Sequence, residues 1–187
     1  MAQSPFQIVA GPANVYLAVA GTAFPAVNAA PGAGWTDMGM TEGGVTVRHM
    51  QNIEVITTDQ YTAGVKGIRT EEGLEVEFAL AETTLERYAW ALNNATVTAA
   101  AGPPAIKEIP LYRGVDVTRH ALLVRGPSPY GNFNSQYQVP VVIQTAEPEV
   151  SFVKDDKTVL NCTFTALIDL LAGIPADRFG KLVAQTA

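Results

Sequence analysis

Leu74-Glu75-Val76-Glu77-Phe78-Ala79-Leu80-Ala81-Glu82-Thr83-Thr84-Leu85-Glu86 is the stretch that decides the fold. Leu74, Val76, Phe78 and Leu80 alternate with Glu75, Glu77 and Ala79, so a strand here carries four apolar side chains on one face. A one-residue slip would bury two carboxylates, which specifies the register tightly. Thr83-Thr84-Leu85-Glu86 then has the spacing of a capping box, in which the Thr83 hydroxyl and the Glu86 carboxylate satisfy two orphan amides. Leu85, Tyr88, Ala89 and Leu92 follow at i, i+3, i+4 and i+7, and Asn93-Asn94 supplies a stop. The spacing predicts a strand running directly into one helix over about residues 84–93.

Working outward, the chain holds 20 Val and 18 Thr, β-branched residues that suit a pleated surface. Turn residues recur about every ten positions, as in all-β sandwiches and barrels. Strands are expected at Asn14–Ala20, Trp35–Met40, Val45–Met50 and Asn52–Thr58, with a turn at Thr41-Glu42-Gly43-Gly44 and a hairpin around Met50-Gln51-Asn52. Val159–Asp169 is a second clean strand, with Leu160, Cys162, Phe164, Ala166 and Ile168 on one face. Arg119–Arg125, Gln136–Ile143 and Glu149–Val153 complete the set, and Pro140 points to an edge position because proline cannot donate to a ladder. Ala99-Ala100-Ala101-Gly102-Pro103-Pro104 reads as a short linker. The expected fold is mainly β: a sandwich or rolled barrel of antiparallel strands with one flanking α-helix, in a single domain over residues 1–187.

The composition narrows the function. With 187 residues, 48% hydrophobic and 16% charged, the chain can bury a core without disulfides or a structural metal. So little charge leaves uncharged surface that another subunit can cover. A net charge of −6 argues against a stable grip on nucleic-acid phosphates. Residues 1–36 contain no charged side chain, but Pro5, Gly11, Pro12, Gly21, Pro25 and Pro31 interrupt them, so no membrane-spanning helix is expected. The opening Met1-Ala2-Gln3-Ser4-Pro5 lacks the basic region of a secretory signal, which makes the cytosol the expected compartment. Acidity is concentrated: residues 37–86 carry ten acids and three bases, residues 87–187 eight acids and nine bases.

Catalytic groupings are not evident. His49 and His120 each sit in an expected strand without metal-ligand spacing around them, so both read as ordinary strand histidines. Cys162, the only cysteine, lies on an apolar strand face and reads as a small buried hydrophobe. Gly32-Ala33-Gly34 and Gly43-Gly44 do not join a strand to a helix as a phosphate loop would. Glu75 and Glu77 share a face about 7 Å apart, close to a glycosidase spacing, but a solvated strand face is the commoner origin of such a pair. No catalytic, cofactor-binding or metal-ligating residue is assigned.

Several of these stretches together resemble the major tail tube proteins of long-tailed, non-contractile bacteriophages. They are Gly11-Pro12-Ala13-Asn14-Val15-Tyr16-Leu17-Ala18, Trp35-Thr36-Asp37-Met38-Gly39 leading to Gly43-Gly44-Val45, the strand-to-helix stretch 74–86, Val150-Ser151-Phe152, and Thr163-Phe164-Thr165-Ala166-Leu167-Ile168-Asp169. The resemblance implies a subunit that forms hexameric rings stacked into a tube, which holds the tape measure protein during assembly and passes DNA during infection. It implies partners at the tail tip and the tail terminator, and a place in the virion tail after assembly in the host cytoplasm. It further implies that the segment Thr57–Gly73 contacts the next ring, with Tyr61, Val65, Lys66, Ile68 and Arg69 as candidate contacts. Segments 1–12 and 170–187 become candidate terminal arms, and Glu75 and Glu77 candidate lumen-facing acids. Thr57–Gly73, rich in glycine and without continuous alternation, is expected to be a loop that orders only against a neighbour. Six acidic copies would give a negative bore that repels DNA phosphates. Two other readings remain: an Hcp-like secretion-system ring, and a β-sandwich carbohydrate-binding module.

Overall fold

Ten strands and one α-helix make up the regular structure of residues 7–93, 96–152 and 154–186, the parts of the chain described by a computed structural model. In chain order they are β1 (Asn14–Val19), β2 (Thr36–Asp37), β3 (Thr41–Thr58), β4 (Tyr61–Leu80), α1 (Leu85–Ala91), β5 (Thr98–Ala100), β6 (Ile106–Glu108), β7 (His120–Pro127), β8 (Asn134–Gln144), β9 (Leu160–Ala166) and β10 (Lys181–Ala184). The main sheet runs β2-β1-β7-β8-β9-β4-β3, with β10 added to β8, and every pairing is antiparallel. The expected mainly β architecture with one helix is what the chain adopts.

The sheet rolls because its two ends are tied together. Met38 N–H donates to Val15 C=O, and Ala81 N–H donates to Met40 C=O, both at 2.9 Å. One short segment thus joins β1, near one end of the sheet, to the end of β4, near the other. Inside the roll, Val15 and Leu17 of β1 meet Leu122 and Val124 of β7, Leu160, Cys162 and Phe164 of β9, and Leu74, Val76, Phe78 and Leu80 of β4. Phe78 and Phe164 stack with ring centroids 5.8 Å apart. The period-two reading of residues 74–80 is therefore correct: all four apolar residues are buried.

The outer face of β1 and β7 has its own cover. Ala18, Ala121 and Leu123 pack under Trp35 and Phe24. The covering segment is pinned by its carbonyls: Gln136 Nε2 donates to Pro25 at 2.8 Å, Arg125 donates to Val27 at 3.0 Å and to Ala29, and Trp35 Nε1 donates to Ala23 at 3.1 Å. At the other end of the roll, Asn93, in the left-handed conformation expected of a helix stop, exchanges two hydrogen bonds with the Gln144 backbone and fixes α1 to β8. Lys107 binds Glu86 at 2.6 Å and fixes the β5–β6 hairpin to α1.

Several local expectations are corrected. The helix is capped by Thr84, whose hydroxyl accepts from Arg87 N–H at 3.3 Å, rather than by Thr83, and it ends at Ala91. The cause is the closure of the roll: Ala81 and Glu82 are both bonded to Met40, so the chain cannot turn into a helix until two residues later. Met50-Gln51-Asn52 is no hairpin but the middle of β3, and Gly43-Gly44 forms a bulge within it, both with positive φ. Trp35–Met40 contributes only the two residues of β2, and β9 ends at Ala166, leaving Ile168 exposed. Residues 149–152 are not a strand; Val153, like Asn94 and residues 1–6 of the expected N-terminal arm, lies outside the described residues. Ala99–Pro104 is part of the β5–β6 hairpin rather than a linker.

Pro140 lies in an interior strand, at a register shift between β7 and β8. On its other side β8 changes partner from β10 to β9, so no ladder amide is required of residue 140. Within the expected C-terminal arm, Lys181–Ala184 pairs with β8 of its own subunit.

Candidate functional site

The segment Thr57–Gly73 is not a loop. It forms the end of β3, a turn at Asp59-Gln60 and most of β4, in one continuous hairpin from Thr41 to Leu80. A strand needs alternating polarity only where one face is buried, and here the backbone ladder holds the pair while both faces meet solvent. β9 pairs only with Glu75–Leu80 of β4. Beyond Gly73 the hairpin therefore leaves the body as an arm, and the eight residues Gln51–Thr58 span about 25–30 Å at strand rise. A bulge at Thr70, whose hydroxyl donates to Asn52 C=O at 3.3 Å, marks where it departs.

The five residues singled out from sequence, Tyr61, Val65, Lys66, Ile68 and Arg69, all lie on this arm and are exposed. Arg69 pairs with Glu72 of the same strand at 3.4 Å. The sequence reading missed their partners on β3. Ile53, Val55 and Ile56 stand opposite Arg69, Gly67 and Lys66, and with Tyr61, Val65 and Ile68 they form an apolar set between 39% and 68% exposed. The signal was present in Ile53-Glu54-Val55-Ile56, but expecting the turn at Met50-Gln51-Asn52 instead of Asp59-Gln60 hid its pairing.

At the base of the arm, Glu75 and Glu77 share a face with Arg48, whose Nη2 donates to Glu75 at 2.7 Å and to Glu77 at 2.9 Å. The hydrogen bond to Glu75, followed by the charge of Glu77, raises the Arg48 guanidinium further above its already high range. The two carboxylates thus share one cation in a charge cluster.

The two histidines and the cysteine lie in different settings. His49 is exposed on β3. His120 is buried on β7 against Trp90, ring centroids 4.7 Å apart, and among the described residues neither ring nitrogen has a hydrogen-bond partner. Burial pushes its pKa down to about 4. Burial likewise pushes the Cys162 thiol up to about 12, far from the thiolate needed for nucleophilic chemistry. Among the described residues no three His, Cys, Asp or Glu side chains are placed to hold a metal ion, and no helix is long and apolar enough to cross a membrane. An open cleft of about 560 Å³ runs past Pro12, Tyr16 and Phe133; Arg125 is the one charged residue among its described lining, and its guanidinium is engaged by Val27 and Ala29.

The molecule thus offers a rolled β body and one long projecting arm with exposed aliphatic side chains, an arrangement suited to association. No curated protein matches the chain. A family model described as phage tail tube protein matches residues 1–170, and the chain belongs to that family.

Proposed function

We propose that this chain is the repeating subunit of a phage tail tube, assembling as hexameric rings that stack into the conduit for DNA. The family implies a tail structural protein that self-assembles into a tube with other tail proteins. The observation that carries the stacking role is the β3–β4 arm: a hairpin paired along most of its length that leaves its own body and exposes aliphatic side chains among charged ones. Such a patch on a small subunit marks a protein contact. Tyr61, Val65 and Ile68, joined by Ile53, Val55 and Ile56, are the apolar contacts with the next ring, and Lys66 adds charge at the margin.

Glu75 and Glu77 at the base of the arm face the bore, where Arg48 moderates their charge without reversing it. Tape measure, tail tip and terminator proteins are the partners, DNA passes without stable binding, and the tail is of the long non-contractile type, assembled in the host cytoplasm. Segments 1–12 and 170–187 act as terminal arms, apart from Lys181–Ala184, which pairs with β8 of its own subunit. Electron microscopy of the concentrated protein, alone or with an initiating tail tip complex, tests the reading: long hollow tubes with six subunits per ring are expected. Particles that remain single subunits with a purified initiator present would overturn it.

A further inference from the structure

Trp35 and Phe24 cover Ala18, Ala121 and Leu123 on the outer face of β1 and β7, but further along the same strands that face opens into the cleft of about 560 Å³. Asn14 pairs with Arg125, Tyr16 with Leu123, and Pro127 with Asn134. Directly paired residues, and residues two apart on one strand, share a face, so Asn14, Tyr16, Arg125 and Asn134 all stand on this side of the sheet. Asn132 and Phe133, from the turn between β7 and β8, complete the lining that matters here. The geometry points to a binding site for a neutral saccharide, with a pyranose unit held among these side chains.

The walls are fixed before any ligand arrives, as is usual for small-molecule sites. Ser128 N–H donates to Phe133 C=O at 3.0 Å and Phe133 N–H to Gly131 C=O at 2.9 Å, which closes the turn. Ser128 is itself buried, and its hydroxyl donates to Gln185 C=O at 2.8 Å. A Cβ on Gly131 would lie 3.4 Å from the Phe133 ring, so the turn packs against that ring. Arg125 donates to Val27 and Ala29 and thereby holds the covering segment beside the cleft.

Charge selects the ligand class. Both terminal nitrogens of Arg125, the one charged side chain among the described lining, already donate to carbonyls. A phosphate or carboxylate would need a cation free to meet it, and a cationic ligand finds no carboxylate. The cleft offers instead the side-chain amides of Asn14, Asn132 and Asn134, which have no hydrogen-bond partner among the described residues. Each amide presents a donor and an acceptor side by side, which matches adjacent hydroxyls that both donate and accept. Tyr16 and Phe133, both partly buried, add aromatic surface for the apolar C–H face of a sugar ring. An extended peptide also has donors and acceptors, but it docks by adding to a sheet edge, and the floor here is a sheet face.

Ligand-detected NMR with the methyl glycosides of glucose, galactose and N-acetylglucosamine tests the site on free subunits, so the result is independent of tube assembly. At least one glycoside is expected to bind with a dissociation constant on the order of 1–10 mM, as suits an open site and a small ligand. Asn132→Ala, at an exposed turn position, should weaken that binding about tenfold, and Phe133→Leu by a similar factor. Asn161→Ala, exposed on β9 and outside the cleft, should leave it unchanged. Should Phe133→Leu fail to fold, Asn132→Ala with a wild-type melting temperature carries the test. Absence of binding by all three glycosides at about 50 mM would overturn the site. So would binding that neither cleft variant weakens, or a preference for glucose 6-phosphate or glucuronate over the neutral sugars.

Discussion

The carboxylate of Glu82 occupies the space that a side chain on Gly39 would need: a Cβ there would lie 2.8 Å from the Glu82 carboxyl carbon and from Oε2. Gly39 also has φ +85°, and Glu82 Oε1 accepts from the next amide, Met40 N–H, at 3.3 Å. These contacts sit at the seam where the roll closes. Gly39→Ala is expected to lower stability by about 1–3 kcal/mol, combining left-handed strain with displacement of Glu82. Gly43→Ala, at φ +73° but with open space around it, should cost less. Urea unfolding of both variants measures the difference, and equal midpoints would remove the seam from the account.

Phe78 tests the core. It stacks on Phe164 and is buried in the cluster that unites β1, β4, β7 and β9. Phe78→Ala should leave a cavity costing ~3–5 kcal/mol. A melting temperature equal to wild type would mean that the face assignment of β4 is wrong.

His120 should make the fold sensitive to acid. Its folded-state pKa of about 4 lies below the ordinary 6.5, so the unfolded chain takes up the proton first. The stability associated with the neutral ring is fully present above about pH 6.5, is lost as pH falls towards 4, and changes no further below that. The slope is about 1.4 kcal/mol per pH unit and the total on the order of 3 kcal/mol. His120→Leu should flatten the curve between pH 6.5 and 4; the same slope in both proteins would contradict the assignment.

Cys162 should be inert in the folded protein. With its thiol buried and pushed up to about 12, alkylation at pH 8 should occur only through unfolding and accelerate sharply in denaturant. Rapid labelling of the native protein would show that β9 is not buried as described.

Much of the body was legible in the sequence because one face of each strand is dry. Residues 74–80 and 160–166 alternate since water lies on one side and Phe78 and Phe164 on the other. The arm was illegible for the same reason in reverse. Without a buried face in the subunit, Ile53–Ile56 and Val65–Arg69 show no clean period, and a backbone ladder leaves no mark in side-chain polarity. Its glycines read as loop signals, although Gly67 and Gly73 stand in the ladder opposite Val55 and Met50. The helix cap was misplaced by one residue because the tie from Ala81 and Glu82 to Met40 spans some forty residues of sequence. Of the arm, the exposed residues of β4 were singled out from sequence, and those facing them on β3 were not.

The most direct test of the tube assignment is to shorten the arm and look for tubes. Removing Ile53–Arg69 and joining Asn52 to Thr70 through an Asn-Gly turn keeps the base of the hairpin, the β4–β9 pairing and the core intact. Stacking through the arm requires that this variant melt like wild type yet form no tubes in electron micrographs under conditions where wild type does. Tubes of normal length from the shortened chain would contradict it.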